Sequence, residues 1–319
     1  MRALLDTSRL QRRAAVILAA TLATGTLVAC GSDGSDGDAG LAAVQISGDF
    51  GEAPEVEFDG RLEVTSVDIQ VVHQGDGPLL ATGDRAFVDL WIGNGFTGEE
   101  AYSSFDEFGE PEMLTVDDQI SEGILAAMEG HPTGSRVAVA APPASAFGEM
   151  GNPGLGIGNA DSVVFIVDIL SKVLTAPEGD EAEAPAGTPA ILDDEGRPTG
   201  FDFDAAAEPG NRLQVHTLVE GSGPVVEEGQ LVAVNYLGQV FGGEEPFDQS
   251  YARGEPSSFP IGVGQVIEGW DRAVVGATVG SRLIVVIPPR LGYGEDGNEG
   301  AGITGTDTLV FIIDILGAA

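Results

Sequence analysis

Cysteine is almost absent from the chain, which has 319 residues and a single cysteine, Cys30. A lone cysteine cannot form an intramolecular disulfide and cannot supply the several thiolates of a structural zinc site. The composition therefore excludes a disulfide-stapled scaffold, and we expect no metal and no other cofactor. Stability must come from hydrophobic cores, and the length suggests two domains of ordinary size.

Basic residues are also scarce. Lys and Arg together number 14, against 51 Asp and Glu, which gives a formal net charge of −37 at pH 7. Such a charge repels the phosphates of nucleic acids and of anionic lipids. We therefore expect no nucleic-acid partner, and we attribute the acidity to solubility in a salty exterior.

The apolar run over residues 14–29 is too short to span a membrane comfortably as a permanent helix. It follows three arginines, a pattern typical of a signal peptide, and its end, LVAC at 27–30, resembles the bacterial lipobox. We predict a lipoprotein signal peptide over residues 1–29 and a lipid on Cys30. The lipid would anchor the protein in the membrane, outside the cytoplasm, at the outer face of the bacterial cytoplasmic membrane. The alternative is an ordinary signal peptide with a chance cysteine.

Changes in composition divide the rest of the chain. Residues 30–43 begin with a Gly, Ser and Asp stretch that predicts a flexible acidic tether. Residues 44–174 hold short alternating apolar runs separated by turn residues, as in an antiparallel β domain, with one helical candidate at 119–130. Residues 175–190 predict an exposed Pro/Ala/acid linker, and residues 191–319 form the second domain.

The two domains are related by a constant offset of 146 residues. Gly77-Pro78 becomes Gly223-Pro224, Pro142-Pro143 becomes Pro288-Pro289, and Phe165-Ile166 becomes Phe311-Ile312. The offset holds without a gap over the compared span, and this pattern indicates a tandem duplication.

The second domain contains aromatic residues in separate predicted strands and loops around one short helical pattern. That pattern begins at QVIEGW, residues 265–270, where Trp270, Ala273 and Val274 recur at helical spacing. A tryptophan at the head of a helix that faces a sheet can form the floor of an apolar pocket. The alternative is that these aromatic residues only fill the core. No nucleophile–base pair and no metal-ligand cluster accompanies them.

Six motifs occur in a fixed order over residues 213–317: VNY, PFD, SSF, VIEGW, PPxxGYG and TLVF. This order resembles the FKBP family of peptidyl-prolyl cis–trans isomerases. The resemblance implies an α+β fold of two FKBP-like domains, each a twisted antiparallel sheet curled around a short helix. It also implies proline-containing polypeptide substrates and macrolide ligands such as rapamycin. The loop at 295–307 departs from the family pattern, which leaves macrolide affinity open.

The resemblance also implies roles for particular residues. Trp270 would lie under the proline ring, with Asp248 at the twisting amide and with the Tyr293 hydroxyl and the Ile267 backbone N–H as donors to substrate carbonyls. Walls of the pocket would come from the remaining positions, which are Tyr236, Phe247, Phe259, Val266, Ile303 and Phe311. Asp248 alone could instead be a turn residue.

The first domain has lost most of these residues. At the 146 offset the second-domain residues and their first-domain counterparts are Tyr236 and Leu90, Phe247 and Ala101, Asp248 and Tyr102, Phe259 and Met113, Ile267 and Ser121, Trp270 and Ile124, and Tyr293 and Phe147. A shifted loop could let Phe105-Asp106 replace the Phe-Asp pair. We therefore expect a degenerate first domain that folds but lacks the pocket.

These patterns predict a peptidyl-prolyl isomerase that assists the folding of exported proteins, with activity in the second domain only. The alternative is a non-catalytic chaperone or binding module that grips apolar or proline-containing segments. Retention of the complete aromatic and Asp set in the second domain favours the enzyme.

Overall fold

The computed structural model describes residues 40–106 and 109–319. The predicted signal peptide, Cys30 and most of the predicted tether lie outside the described residues. Within the described ranges, no helix is long and apolar enough to cross a bilayer.

The first half of the described chain is built mainly from strands, with two short helices. In chain order the strands are β1 (Val44–Ser47), β2 (Glu55–Phe58), β3 (Asp68–His73), β4 (Arg85–Asn94), β5 (Glu99–Ser103), β6 (Glu112–Thr115), β7 (Arg136–Ala141) and β8 (Val163–Val173). The helices are α1 (Glu122–Met128) and α2 (Pro143–Ala146).

The second half repeats this pattern around one α-helix, α3 (Glu268–Val274). Its strands are β9 (Gly179–Glu181), β10 (Ala190–Asp194), β11 (Arg197–Asp202), β12 (Gln214–Gly221), β13 (Leu231–Val240), β14 (Pro246–Gln249), β15 (Ser257–Pro260), β16 (Arg282–Ile287) and β17 (Leu309–Ala318).

Each half forms one large antiparallel sheet and a separate two-stranded hairpin. The first has the order β3-β7-β8-β4-β5, with β6 also paired to β4, and the second has the order β14-β13-β17-β16-β12-β9, with β15 also paired to β13. The central strands β8 and β17 are buried along most of their length, because the helix covers one face of each sheet and a hairpin covers the other. The predicted α+β fold of two repeated domains is confirmed.

The hairpin of each half packs on the outer face of its sheet. In the first domain β1 and β2 contribute Val44 to a cluster with Trp91 and Ile166. In the second domain β10 and β11 contribute Phe201 to a cluster with Leu237 and Ile312. The side chains of each sheet alternate between faces, so one face contacts the helix and the other contacts the hairpin.

The two domains share an apolar interface at the ends of their longest strands. Phe87 and Val173 of the first domain pack with Leu231, Ala233 and Leu316 of the second. Two hydrogen bonds connect the same region: Leu174 N–H donates to the Leu316 carbonyl over 2.8 Å, and Ser171 Oγ donates to the Ala318 carbonyl over 2.8 Å. The domains therefore contact each other through packed side chains as well as through the linker.

Two segments that we predict as exposed chain carry structure. Gly40–Ala43, at the end of the predicted tether, form a 3₁₀ turn, because the Leu41 side chain is buried and its N–H donates to Asp68. Gly179–Glu181, inside the predicted linker, pair with the edge strand β12. Backbone pairing at a sheet edge needs no apolar side chain, so the composition of the linker gave no sign of it.

Candidate active site

The site of the second domain is built on the loop that enters α3. Ile267 is the N-cap of this helix and has extended backbone dihedrals, with φ −62° and ψ 145°. The Asp271 carboxylate, in the first turn, accepts from the N–H groups of Gly262 and Gly264 over 2.7 and 3.0 Å. These bonds attach the loop to the helix and hold Val266 and Ile267 beside Trp270.

Trp270 lies at the centre of an aromatic cluster. Its ring meets the rings of Tyr236, Phe259 and Phe311 edge to face, with centroid distances of 5.3, 5.7 and 5.4 Å. Phe247 adds a further edge-to-face contact with Phe311 at 5.6 Å. Such pairs contribute about 0.5–1.5 kcal/mol each beyond the burial of their area. The tryptophan is therefore held in one orientation as an apolar floor.

A glycine on β13 makes room for these rings. A Cβ at Gly238 would lie 2.5 Å from Phe311 and 2.7 Å from Phe247. The first domain has Ile92 at this position and Ala101 in place of Phe247, and both pack in its core. In the first domain the Ile92 side chain thus replaces the ring that Phe247 contributes in the second domain. This replacement explains how the core of the first domain stays packed without Phe247.

A cavity of about 360 Å³ opens above Trp270. Nine of the ten residues that we predict for the pocket line it, together with Gln265; they are Tyr236, Phe247, Asp248, Phe259, Val266, Ile267, Trp270, Tyr293 and Phe311. Ile303 is the exception. It is 4% exposed and packs in the same apolar cluster as Trp270 and Phe311, and its backbone pairs with Asn298, but its side chain does not line the cavity.

One edge of the cavity is polar. The Tyr236 hydroxyl donates to Asp248 Oδ2 over 2.5 Å, and Arg253 donates to Asp248 Oδ1 and to the Tyr236 hydroxyl oxygen over 3.1 Å each. Burial raises the pKa of Tyr236, and its hydrogen bond to Asp248 raises it further. The phenol therefore stays protonated near neutral pH and continues to donate to the carboxylate.

Arg253 was not predicted from the sequence. Its guanidinium lies 5.6 Å from the Tyr236 ring centroid and also donates to Ser257 Oγ. Arg253 lies in a 3₁₀ turn, Tyr251–Arg253, where no periodic pattern singles out a residue. The available sign was its charge, since a basic residue five positions after Asp248 is unusual in so acidic a chain.

Two groups at the rim are free to donate to a bound ligand. Tyr293 is 37% exposed, and its hydroxyl has no partner among the described residues. The N–H of Ile267 also has no acceptor in the described part of the chain. Both donors can bind carbonyl oxygens of a ligand.

Among its described residues, the first domain has no matching arrangement. Leu90, Ile124 and Phe165 are buried together in its core. Tyr102, at the position of Asp248, donates its hydroxyl to Glu112 over 2.6 Å, and burial raises its pKa to about 12. The suggestion that Phe105 replaces Phe247 is wrong, because Phe105 packs with the outer-face cluster and lies 5.7 Å from the Arg136 guanidinium.

Comparison with known proteins assigns both domains to one family. A sequence model for FKBP-type peptidyl-prolyl cis-trans isomerases matches residues 81–170 and 223–316, together more than half of the chain. An FK506-binding protein of Streptomyces anulatus is 44% identical over 109 residues, which are 34% of this chain and 88% of that protein. FK506-binding protein 2 of Dictyostelium discoideum is 38% identical over 117 residues, 36% of this chain and 86% of that protein.

Two solved structures show similarity over about a third of the chain. The crystal structure of AtFKBP13 is 37% identical and covers 34% of this chain and 93% of its own, with a TM-score of 0.31. That of FkpA from Escherichia coli is 38% identical and covers 33% of this chain and 47% of its own, also with a TM-score of 0.31.

Proposed function

Because the chain belongs to the family of FKBP-type peptidyl-prolyl cis–trans isomerases, we propose that its second domain isomerises X-Pro bonds in exported polypeptides. The observation that carries the proposal is the cavity above Trp270, where an apolar floor and walls stand beside one polar edge. The first domain has the fold without this cavity lining, and its role is structural or in binding.

The chemistry requires no nucleophile. Rotation about a peptide bond has a barrier of about 18–20 kcal/mol, and uncatalysed isomerisation at proline takes about tens to hundreds of seconds. The amide loses resonance and charge separation as it twists. An apolar cavity therefore binds the twisted amide better than the planar one, which water solvates well.

The residues that line the cavity have three different roles in this reaction. Trp270 and the surrounding rings receive the proline ring and exclude water. The Tyr293 hydroxyl and the Ile267 N–H donate hydrogen bonds to the carbonyls that flank the X-Pro bond. The chain on either side is thereby held in place while the X-Pro bond rotates. Asp248, oriented by Tyr236 and Arg253, provides the polar contact at the rotating amide.

We also propose that Cys30 is lipidated and retains the protein at the outer face of the cytoplasmic membrane, where exported chains fold. LVAC at 27–30 after an apolar run supports this. Relatives named FK506-binding proteins support macrolides of the FK506 and rapamycin type as ligands of the same cavity.

The deciding experiment is a proline-limited refolding assay with the full chain, since the two domains share a packed interface. We expect the wild type to accelerate refolding. The Trp270→Ala, Asp248→Ala double variant should lose about 3–4 kcal/mol of transition-state stabilisation, which lowers the rate about a hundred- to a thousandfold. Undiminished activity in a folded double variant would refute the assignment, and binding of proline peptides without acceleration by the wild type would favour a binding module.

A further inference from the structure

A second cavity, of about 410 Å³, lies in the second domain at the junction with the linker. Its walls come from the linker at Thr175–Pro177, from the β10–β11 turn at Glu195–Arg197, and from Tyr251–Gly254; Arg282 and Asp314 also line it. Asn235 lines it as well, whereas its neighbour Tyr236 lines the cavity above Trp270. Because adjacent strand residues point to opposite faces, this cavity is on the outer face of the sheet.

The charged groups of this cavity form a bidentate ion pair. Arg282 donates from Nε to Asp314 Oδ1 over 2.6 Å and from Nη2 to Oδ2 over 2.8 Å. The Tyr251 hydroxyl donates to the same Oδ2 over 2.7 Å. Asp314 thus accepts three hydrogen bonds, and its carboxylate is satisfied by protein groups.

The first domain contains the same ion pair in a closed form. Arg136 and Asp168 are related to Arg282 and Asp314 by the 146 offset, and both side chains are 0% exposed. The loop between β1 and β2 covers them. Arg136 donates from Nη1 to the Gly48 carbonyl over 3.0 Å and from Nη2 to the Glu52 carbonyl over 2.5 Å.

The second domain lacks this cover. Its β10–β11 turn consists of Glu195 and Gly196 alone, and neither carbonyl of this turn accepts a hydrogen bond from Arg282. Among the described residues Arg282 donates only to Asp314, and its side chain is 20% exposed. In the first domain Nη1 of Arg136 donates to a carbonyl. The equivalent Nη1 of Arg282 has no such acceptor in the described chain and is therefore open to the cavity.

A substitution beside the pair adds another donor. Asp89 of the first domain accepts from Ser104 Oγ, and the equivalent Asn235 accepts from Ser250 Oγ through its Oδ1. The Nδ2 group of Asn235 has no acceptor among the residues that the structure describes. Replacing Asp by Asn removes a negative charge from this position and supplies an N–H group.

The donors of the cavity suit an anionic oxygen ligand. Arg197, Arg253 and Arg282 line it together with the acids Glu195 and Asp314. Arg253 pairs with Asp248 and Arg282 pairs with Asp314, so the local charge is close to balanced, whereas the chain as a whole has a net charge of −37. Nη1 of Arg282 remains available, and a charge-assisted hydrogen bond from a guanidinium to a carboxylate is stronger than one between neutral groups.

We propose that this outer-face cavity binds a carboxylate group, through Nη1 of Arg282 and Nδ2 of Asn235, at a site distinct from the isomerase cavity. The carboxylate can come from an acidic side chain of a bound polypeptide or from a small free acid. The two sources present the same chemistry and differ in affinity, because a peptide also contacts the cavity walls.

The test is an NMR titration of the full chain that follows the amides of Gly196 and Ala252 and the Nε–H of Arg282. The probes are sodium acetate, acetyl-Gly-Glu-Gly-amide and the matched neutral peptide acetyl-Gly-Gln-Gly-amide, with sodium chloride at equal ionic strength as the control for screening. We expect saturable shifts with acetate and the Glu peptide, and affinity for the Gln peptide weaker by about tenfold or more. Tighter binding of the Glu peptide than of acetate identifies a polypeptide ligand, and equal binding identifies a small acid.

Two variants test whether the NMR shifts depend on the proposed donors, Nδ2 of Asn235 and Nη1 of Arg282. Asn235→Asp restores the acid that the first domain tolerates, and it should weaken acetate binding about tenfold or more because it removes a donor and adds a like charge. Asn211→Asp is the matched control, since it introduces the same charge at an exposed position outside the cavity walls.

The second variant replaces Glu195-Gly196 with the first domain's loop sequence GDFGEAP, which should cover Arg282 and abolish binding. Absence of saturable shifts with acetate, equal affinity for the Gln and Glu peptides, or unchanged affinity in Asn235→Asp would each overturn the proposal. If the loop variant fails to fold, Asn235→Asp decides alone.

Discussion

In the first domain the ring of Phe147 packs against the ring of Phe165, with 6.0 Å between the centroids. The equivalent residues of the second domain are Tyr293 and Phe311, and Tyr293 is instead 37% exposed at the rim of the cavity. The same backbone position therefore contributes to the core in one domain and offers a free hydroxyl in the other.

A matched pair of hydroxyl deletions in the full chain tests which domain carries the activity. Tyr236→Phe and Tyr102→Phe each remove one hydroxyl that donates to a carboxylate, Asp248 or Glu112. A lost hydrogen bond of about 0.5–1.5 kcal/mol lowers the rate about two- to twelvefold. We expect that loss of kcat/KM in Tyr236→Phe and none in Tyr102→Phe. A loss in Tyr102→Phe alone would place the activity in the first domain.

Arg253 provides a second prediction. Arg253→Gln removes the cation that orients Asp248 and Tyr236, and we expect kcat/KM to fall several-fold, about as much as the loss of one or two hydrogen bonds. The fold should persist, because the ion pair with Asp248 is half exposed and such pairs contribute about 0–1 kcal/mol. The measurement is the refolding assay together with chemical denaturation.

Arg272→Gln is the control for this variant. Arg272 also forms a half-exposed ion pair, with Glu268 one turn earlier on α3, and it does not line the cavity. Equal activity losses in the two variants would mean that general electrostatics, and not the contact with Asp248, produce the effect.

The parts of the fold that follow from local patterns could be predicted from the sequence. Alternation of apolar residues indicates strands such as β4 and β13, and a constant offset indicates the repeat. The cavity residues were predicted by resemblance, because their order along the chain is characteristic of a family. We predict a helix over 119–130, and the structure has a shorter one, α1, at Glu122–Met128. Ser121 caps this helix by accepting a hydrogen bond from the Ile124 N–H.

Features that depend on tertiary contacts could not be predicted in this way. Strand β9 has the exposed sequence Gly-Asp-Glu, and it exists only because β12 offers an unpaired edge. Ile303 matches a family position, yet its side chain is buried in the apolar cluster and does not line the cavity. Arg253 depends on a turn that brings it back to Asp248, and a turn leaves no periodic signal.

Cys30 leads to a prediction outside the described residues. Cys30→Ala should prevent lipidation and move the protein from the detergent phase to the aqueous phase in a partitioning experiment. One acyl chain binds a membrane only marginally, so stable retention requires two or more chains, as bacterial lipoproteins carry. Equal partitioning of the wild type and the variant into the aqueous phase would contradict the anchor.

The linker should be the first site of limited proteolysis. Residues 182–186 are exposed, whereas the flanking β9 pairs with β12 of the second domain. We expect proteinase K to cut within 183–186. The two fragments should stay associated in gel filtration, because strand β9 and the interface of Phe87 with Leu231 and Leu316 connect them. Separation of the fragments under native conditions would show that these contacts are too weak to hold the domains.

His131 should make the stability of the chain depend on pH. Its Nδ1 is buried without a partner in the described ranges, and burial lowers the pKa of the imidazole below its usual 6.5. The unfolded chain then binds the proton more readily, so this contribution to stability is fully present above about pH 6.5 and is lost as the pH falls from there through the lower pKa of the folded state. Between about pH 7.5 and about pH 5.5, we expect the free energy of unfolding to fall less in His131→Gln than in the wild type. His73 is exposed, and His73→Gln should retain the wild-type dependence. If both variants and the wild type respond alike in urea titrations at the two pH values, protonation of His131 does not oppose folding, and the pH dependence arises in the carboxylates.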